Sequence, residues 1–101
     1  MRKKGIRTES VDELFDAIMS LESKEEFYQF FEDICTTNEV LAIAQRLEVA
    51  KMLYEEKTYN EIADVTGAST ATISRVNRSI NSGNGSYDFI FERLGIKKDK
   101  E

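Results

Sequence analysis

Apolar side chains in this chain recur every three to four positions, and no stretch alternates in the manner of a β-strand, so the pattern predicts helices throughout. Capping signals mark where they begin: a Ser or Thr side chain accepts from the amide three residues on, while a Glu there reaches back. "SVDE" opens a first helix from Ser10, with Leu14, Phe15, Ile18 and Met19 on one face. "SKEE" opens a second from Ser23, with Phe27, Phe30, Phe31 and Ile34. Both faces are expected to form core. Thr36 and Glu39 start a longer third helix whose Val40, Leu41, Ala44, Leu47 and Leu53 give a broad stripe, the expected central strut.

"TYNE", Thr58 to Glu61, caps a short fourth helix that stops near Val65, because Thr66 and Gly67 read as a C-terminal signal. Ser69 caps the fifth helix. "NSGNGS", Asn81 to Ser86, reads as a loop, and "YDFIFERL" forms a short last helix. Residues 1–9 and 95–101 read as flexible ends around one domain spanning 10–94. The last helix is apolar on nearly every side, as is much of the second. A chain this short struggles to cover both alone, so a homodimer is expected.

The stretch "IADVTGASTATISRVNRSI" fits a helix-turn-helix over residues 58–80. Small Ala63 lets the two helices approach, Gly67 tolerates positive φ at the turn, and Ile73 with Val76 fills the wedge between them. At about 100° per residue, Ile73, Val76, Asn77 and Ile80 share an inner face. Ala71, Arg75 and Arg78 share the outer one, with Ser74 beside them.

Composition narrows the chemistry. The chain has 101 residues, 41% of them hydrophobic and 33% charged, with no proline and only five glycines, which suits a single small all-α domain. The N-terminus lacks an apolar signal segment and no run is long enough to span a bilayer, so a cytoplasmic protein without a membrane partner is expected. Cys35 is the lone cysteine and there is no histidine, which removes an internal disulfide, the usual zinc ligand sets and an activated thiol. Cys35 continues the spacing of Phe27, Phe31 and Ile34 and reads as a small buried hydrophobe. The 19 carboxylates fall mostly on polar helix faces and nominate no acid–base pair. No catalytic residue, metal or cofactor is expected, and the chain is not read as an enzyme.

Charge placement points to duplex DNA. The net charge is −5, yet after Asp64 no acidic side chain occurs up to Ile80. DNA is a dense line of negative charge, and a carboxylate on a groove-facing helix is repelled and desolvated there. Small Thr70, Ala71 and Ser74 let the helix sit deep in a major groove and touch base edges, with Arg75 and Arg78 reaching phosphate or guanine. Arg2, Lys3, Lys4 and Arg7 form a basic arm suited to phosphates or a minor groove. Scaffold helix-turn-helices also exist. A protein-docking module using the apolar last helix, around Phe89 and Phe91, and a nonregulatory DNA-binding role are the competing readings.

The segment "NEVLAIAQRLEVAKMLYEEKTYNEIADVTGASTATISRVNRSI" resembles the Trp repressor superfamily, and within it the YerC/YecD branch of Trp-repressor-like proteins. The resemblance covers roughly residues 10 to 94, and "GASTATISRVNRSI" is its most specific part. It implies an all-α, six-helix chain in an intertwined homodimer, with two recognition helices entering successive major grooves of a palindromic operator. It implies a bacterial transcriptional regulator, most simply a repressor, with Thr70, Ala71 and Ser74 nearest to bases. The tryptophan-responsive members hold their ligand between the central and recognition helices with two arginines and room made by a glycine. Here Arg75 matches one arginine and Ser79 a ligand-facing hydroxyl, but Gln45 stands at the other arginine and Val76 at the glycine. Val76 fills the space an indole needs, and Gln45 offers no full charge to a carboxylate. A ligand pocket of Gln45, Arg75, Val76 and Ser79 is therefore not expected to take tryptophan. The effector, if one exists, is left open.

Overall fold

The computed structural model describes residues 5–97, and among them the chain is six α-helices with no strand: α1 (Glu9–Met19), α2 (Lys24–Ile34), α3 (Thr37–Tyr54), α4 (Tyr59–Thr66), α5 (Thr70–Ser82) and α6 (Ser86–Leu94). Internal packing divides the expected 10–94 domain into two compact units, one ending at Thr37 and one beginning at Asn38. Arg2, Lys3 and Lys4 of the expected arm lie outside the described residues, as do 98–101 of the expected tail.

The N-terminal unit holds α1 and α2. Its first cap differs from the sequence expectation: Thr8 rather than Ser10 accepts from the Val11 amide, at 3.2 Å, so α1 begins at Glu9 and takes in the last residue of the expected arm. Ser23 caps α2 as expected, accepting from the Glu26 amide at 3.2 Å. The Glu26 carboxylate, however, accepts from the Glu22 amide at 2.8 Å, one residue short of a closed capping box. The expectation that both helices face a core is corrected. Neither contains a buried residue. Leu14, Ile18, Phe30, Phe31 and Cys35 are half-buried, while Phe15, Phe27, Met19 and Ile34 are exposed, the last two at 82% and 51%. Phe30 and Phe31 meet edge to face at 5.6 Å.

The C-terminal unit contains the buried cluster: Val49, Ala50 and Tyr54 from α3, Ile62 from α4, Ala68 from the turn, Ile73 and Val76 from α5, and Phe91 from α6. Tyr54 and Phe91 pack edge to face at 4.8 Å between centroids, in the range aromatic pairs favour. This moves the core stripe of α3. Of the expected stripe Val40, Leu41, Ala44, Leu47 and Leu53, Leu53 packs against the cluster and Val40 is half-buried, but Leu41 and Leu47 are 59% and 44% exposed and Ala44 is exposed too. α3 is apolar around most of its circumference, so its periodicity does not single out the side that packs.

α5 runs two residues further than expected, through Asn81 and Ser82, and the Gly83 amide closes its last turn on the Ser79 carbonyl at 2.9 Å. Nothing before Gly83 forbids helical dihedrals, so the loop shrinks to 83–85. The expected tail is ordered at its start. Gly95, at φ +78, and Ile96 close α6 with amide bonds to Glu92 and Phe91, the latter at 2.8 Å, and Ile96 packs on the buried cluster. That pairing is a Schellman motif with its hydrophobic contact.

The closed capping box and the wedge are the points where substitution should register most clearly. Ile73→Ala is expected to cost about 2–5 kcal/mol of unfolding free energy and Thr58→Ala about 1 kcal/mol. Urea unfolding at one fixed protein concentration measures both, and a cost for Ile73→Ala below that of Thr58→Ala would contradict the packing described.

Candidate nucleic-acid interface

The two helices that would meet DNA are set by local chemistry at three places. At the start of α4, the Thr58 hydroxyl accepts from the Glu61 amide at 3.1 Å and the Glu61 carboxylate accepts from the Thr58 amide at 2.8 Å, a complete capping box. At its end, Gly67 takes the left-handed conformation, φ +76 and ψ +5, and its amide bonds the Ala63 carbonyl at 2.8 Å. A side chain at Gly67 would be strained by the dihedral rather than by crowding, since the nearest atom to an added Cβ lies 4.0 Å away. Thr66 reinforces the turn, its hydroxyl donating to the Ile62 carbonyl at 2.8 Å and accepting from the Ala68 amide at 3.1 Å. Ser69 then caps α5 by accepting from the Thr72 amide at 3.1 Å.

With these stops fixed, α5 divides as its periodicity predicts. Ile73 and Val76 are buried, at 0% and 3% exposure, while Asn77 and Ile80 are half-buried beside them. On the opposite side Thr70, Ala71, Arg75 and Arg78 are exposed and Ser74 is half-buried. α5 carries no acidic residue in its sequence, so two guanidiniums and three small side chains share a surface free of its own carboxylates. Of the basic arm, Arg7 is described, and it is exposed.

The second residue set separates. Gln45 on α3 is half-buried and its Nε2 donates to the main-chain oxygen of Thr66 at 3.0 Å. Val76 belongs to the buried cluster, whereas Arg75 and Ser79 are exposed on α5. The bond from Gln45 and the double role of the Thr66 hydroxyl were not legible in the sequence. Each depends on which carbonyl comes within reach, and periodicity carries no such information.

A model of the Trp repressor protein family matches residues 9–95. The chain belongs to the Trp repressor family. Among its relatives is an uncharacterised protein of Bacillus subtilis (strain 168), YerC, 53% identical over 89 residues that cover 88% of this chain and 86% of that protein. Two solved structures share the fold. A TrpR-like protein from Eubacterium eligens ATCC 27750 is 60% identical with a TM-score of 0.88, covering 93% of this chain and 97% of its own. A protein from Staphylococcus aureus described as a candidate Trp repressor is 53% identical with a TM-score of 0.87, covering 92% and 93%. The Trp repressor family is one of DNA-binding regulators, not of enzymes. Among the described residues no helix is long and apolar enough to cross a membrane.

Because Arg75 and Arg78 stand clear of the wedge, removing either charge should leave the fold intact. Arg75→Ala and Arg78→Ala are expected to shift unfolding free energy by no more than about 0.5 kcal/mol, measured by urea denaturation alongside Ile73→Ala. A large loss from either would mean that the side chain supports the fold.

Proposed function

We propose that this chain is a homodimeric transcriptional regulator, acting as a repressor in the cytoplasm of a bacterium, that reads a palindromic duplex with α5 and does so without tryptophan. The observation that carries the reading is the outer face of α5, where Arg75 and Arg78 are exposed beside Thr70, Ala71 and Ser74 while the inner face is buried. A helix with small residues at its N-terminal end fits the major groove, where thymine methyls and base edges are within reach. Its guanidiniums then meet guanine or phosphate.

The dimer is supported by what one copy leaves uncovered. Phe15, Phe27, Ile34, Leu41, Leu47 and Leu94 are all exposed, and large apolar side chains on amphipathic helices that one copy does not cover are what a second subunit commonly buries. A second copy using the same faces covers them by two-fold symmetry, and two-fold symmetry matches a palindromic site. Half-sites about 34 Å apart along the duplex are then expected. The competing docking-module reading is weaker, since the apolar surface extends over α1, α2 and α3 as well as α6.

Independence from tryptophan follows from Gln45 and Val76. Val76 is packed into the buried cluster, and the Gln45 amide is bonded to Thr66 and carries no charge for a carboxylate. Selection of bound duplexes from a random pool, with and without tryptophan, tests the whole reading. A palindromic consensus recovered equally in both is the expected result; a tryptophan-dependent consensus would refute the ligand statement, and no enrichment would refute DNA reading.

Single substitutions divide the contacts. Arg78→Ala is expected to weaken binding to selected and random duplexes alike, whereas Ser74→Ala and Thr70→Ala change base preference by roughly 1–3 kcal/mol at the affected position. Binding titrations on both duplex sets measure this, and equal losses on both for all three variants would contradict the assignment.

A further inference from the structure

Gln45 and Thr66 lie 21 positions apart, and the bond between them ties α3 to the last residue of α4. The bonds that cap α4 and α5 span three positions and shape each helix separately. The acceptor is one of the last carbonyls of α4, which have no amide partner inside the helix. An added Cβ at Gly67 would find the Gln45 Nε2 as its neighbour, at 4.0 Å, so the amide lies along the turn itself. The turn is thus held from within by the Thr66 hydroxyl and from α3 by Gln45. Ile73 and Val76 anchor the inner face of α5 through apolar contacts, which are non-directional, while a hydrogen bond is directional in both distance and angle.

We infer that Gln45 is a positioning residue for DNA binding: its side-chain amide locks the turn between α4 and α5 onto α3, and so holds the outer face of α5 in its reading orientation with no small molecule required. The inference rests on α5 being the recognition helix. It adds that the orientation of α5 is set by a resident side chain.

Gln45→Met keeps length and most of the volume but removes the donor. Gln45→Lys restores a donor that can reach the Thr66 oxygen. Hydrogen exchange at the Gly67 and Ala68 amides, both hydrogen-bonded in the turn, reports its local opening. In the full-length chain, Gln45→Met is expected to speed exchange at these two amides and to weaken binding to the selected duplex, each roughly threefold to tenfold per recognition helix, the equivalent of one hydrogen bond. Exchange at Val49 and Ala50 stays as in the unmodified chain, and Gln45→Lys restores both quantities with an unchanged salt slope.

Unchanged exchange and affinity in Gln45→Met would overturn the inference. Faster exchange throughout α3 would also overturn it, reducing Gln45 to a general stabiliser. So would a lysine rescue whose salt slope steepens by about one phosphate contact, since the lysine would then be touching DNA. Failure of the unmodified chain to bind any duplex overturns the DNA reading itself, and exchange at the turn then separates that failure from loss of the lock.

Discussion

Ile73 and Val76 are buried in one apolar cluster with Val49 and Ala50 of α3, Ile62 of α4 and Phe91 of α6, so the inner face of α5 is fixed by the core it helps to form. Each residue turns the helix by about 100°, so a position two away from a buried one falls on the other side: Ala71 and Arg75 flank Ile73 at that spacing and Arg78 follows Val76, and burying the pair turns all three outward. The packing constraint and the proposed reading face are therefore one fact seen from opposite sides of a single helix. Ala68, at 5% exposure, belongs to the same cluster, where a larger side chain would overpack the turn. Everything proposed about nucleic acid depends on this wedge keeping its shape.

Among the described residues, every buried hydrophobic belongs to the C-terminal unit. The C-terminal unit has a cluster with an aromatic pair at its centre, Tyr54 on Phe91, whereas α1 and α2 bury nothing fully. Amphipathic helices draw most of their stability from the packing of the apolar face rather than from intrinsic propensity. One copy leaves Phe15, Phe27 and Met19 exposed, and in the proposed dimer each copy would cover what the other leaves open. On that reading, dimer formation and stability are one equilibrium, and protein concentration sets both.

Much of this was legible in the sequence, for identifiable reasons. The inner and outer faces of α5 follow from periodicity, and the stops at Gly67 and Ser69 follow from residue types that leave the backbone few alternatives. The packed side of α3 is not legible, because Leu41 and Leu47 are as apolar as Val49; hydrophobicity marks which residues seek cover but not which partner provides it. The first cap falls at Thr8 rather than Ser10 because both residues are competent, and a two-residue ambiguity at a helix end is ordinary. The hydrogen bond from Gln45 was invisible for a different reason. A half-buried amide is recognised only once its acceptor is located in space.

Gln45 and Val76 also bear on how such a regulator would be controlled. An effector wedged between α3 and α5 needs a cavity for its apolar part and a donor for its polar end. Here the side chain of Val76 occupies the buried position, and the Gln45 amide already donates to Thr66. A ligand entering at this place would have to displace packed methyl groups and leave the Thr66 carbonyl without its partner, two losses that its own contacts would first have to offset. An internal hydrogen bond involves no ligand, so the orientation it is proposed to fix would not require one at this place. On the proposed reading, occupancy of the DNA site then responds to the amount of dimer and to ionic strength without tryptophan, and any other effector would have to act elsewhere than between α3 and α5.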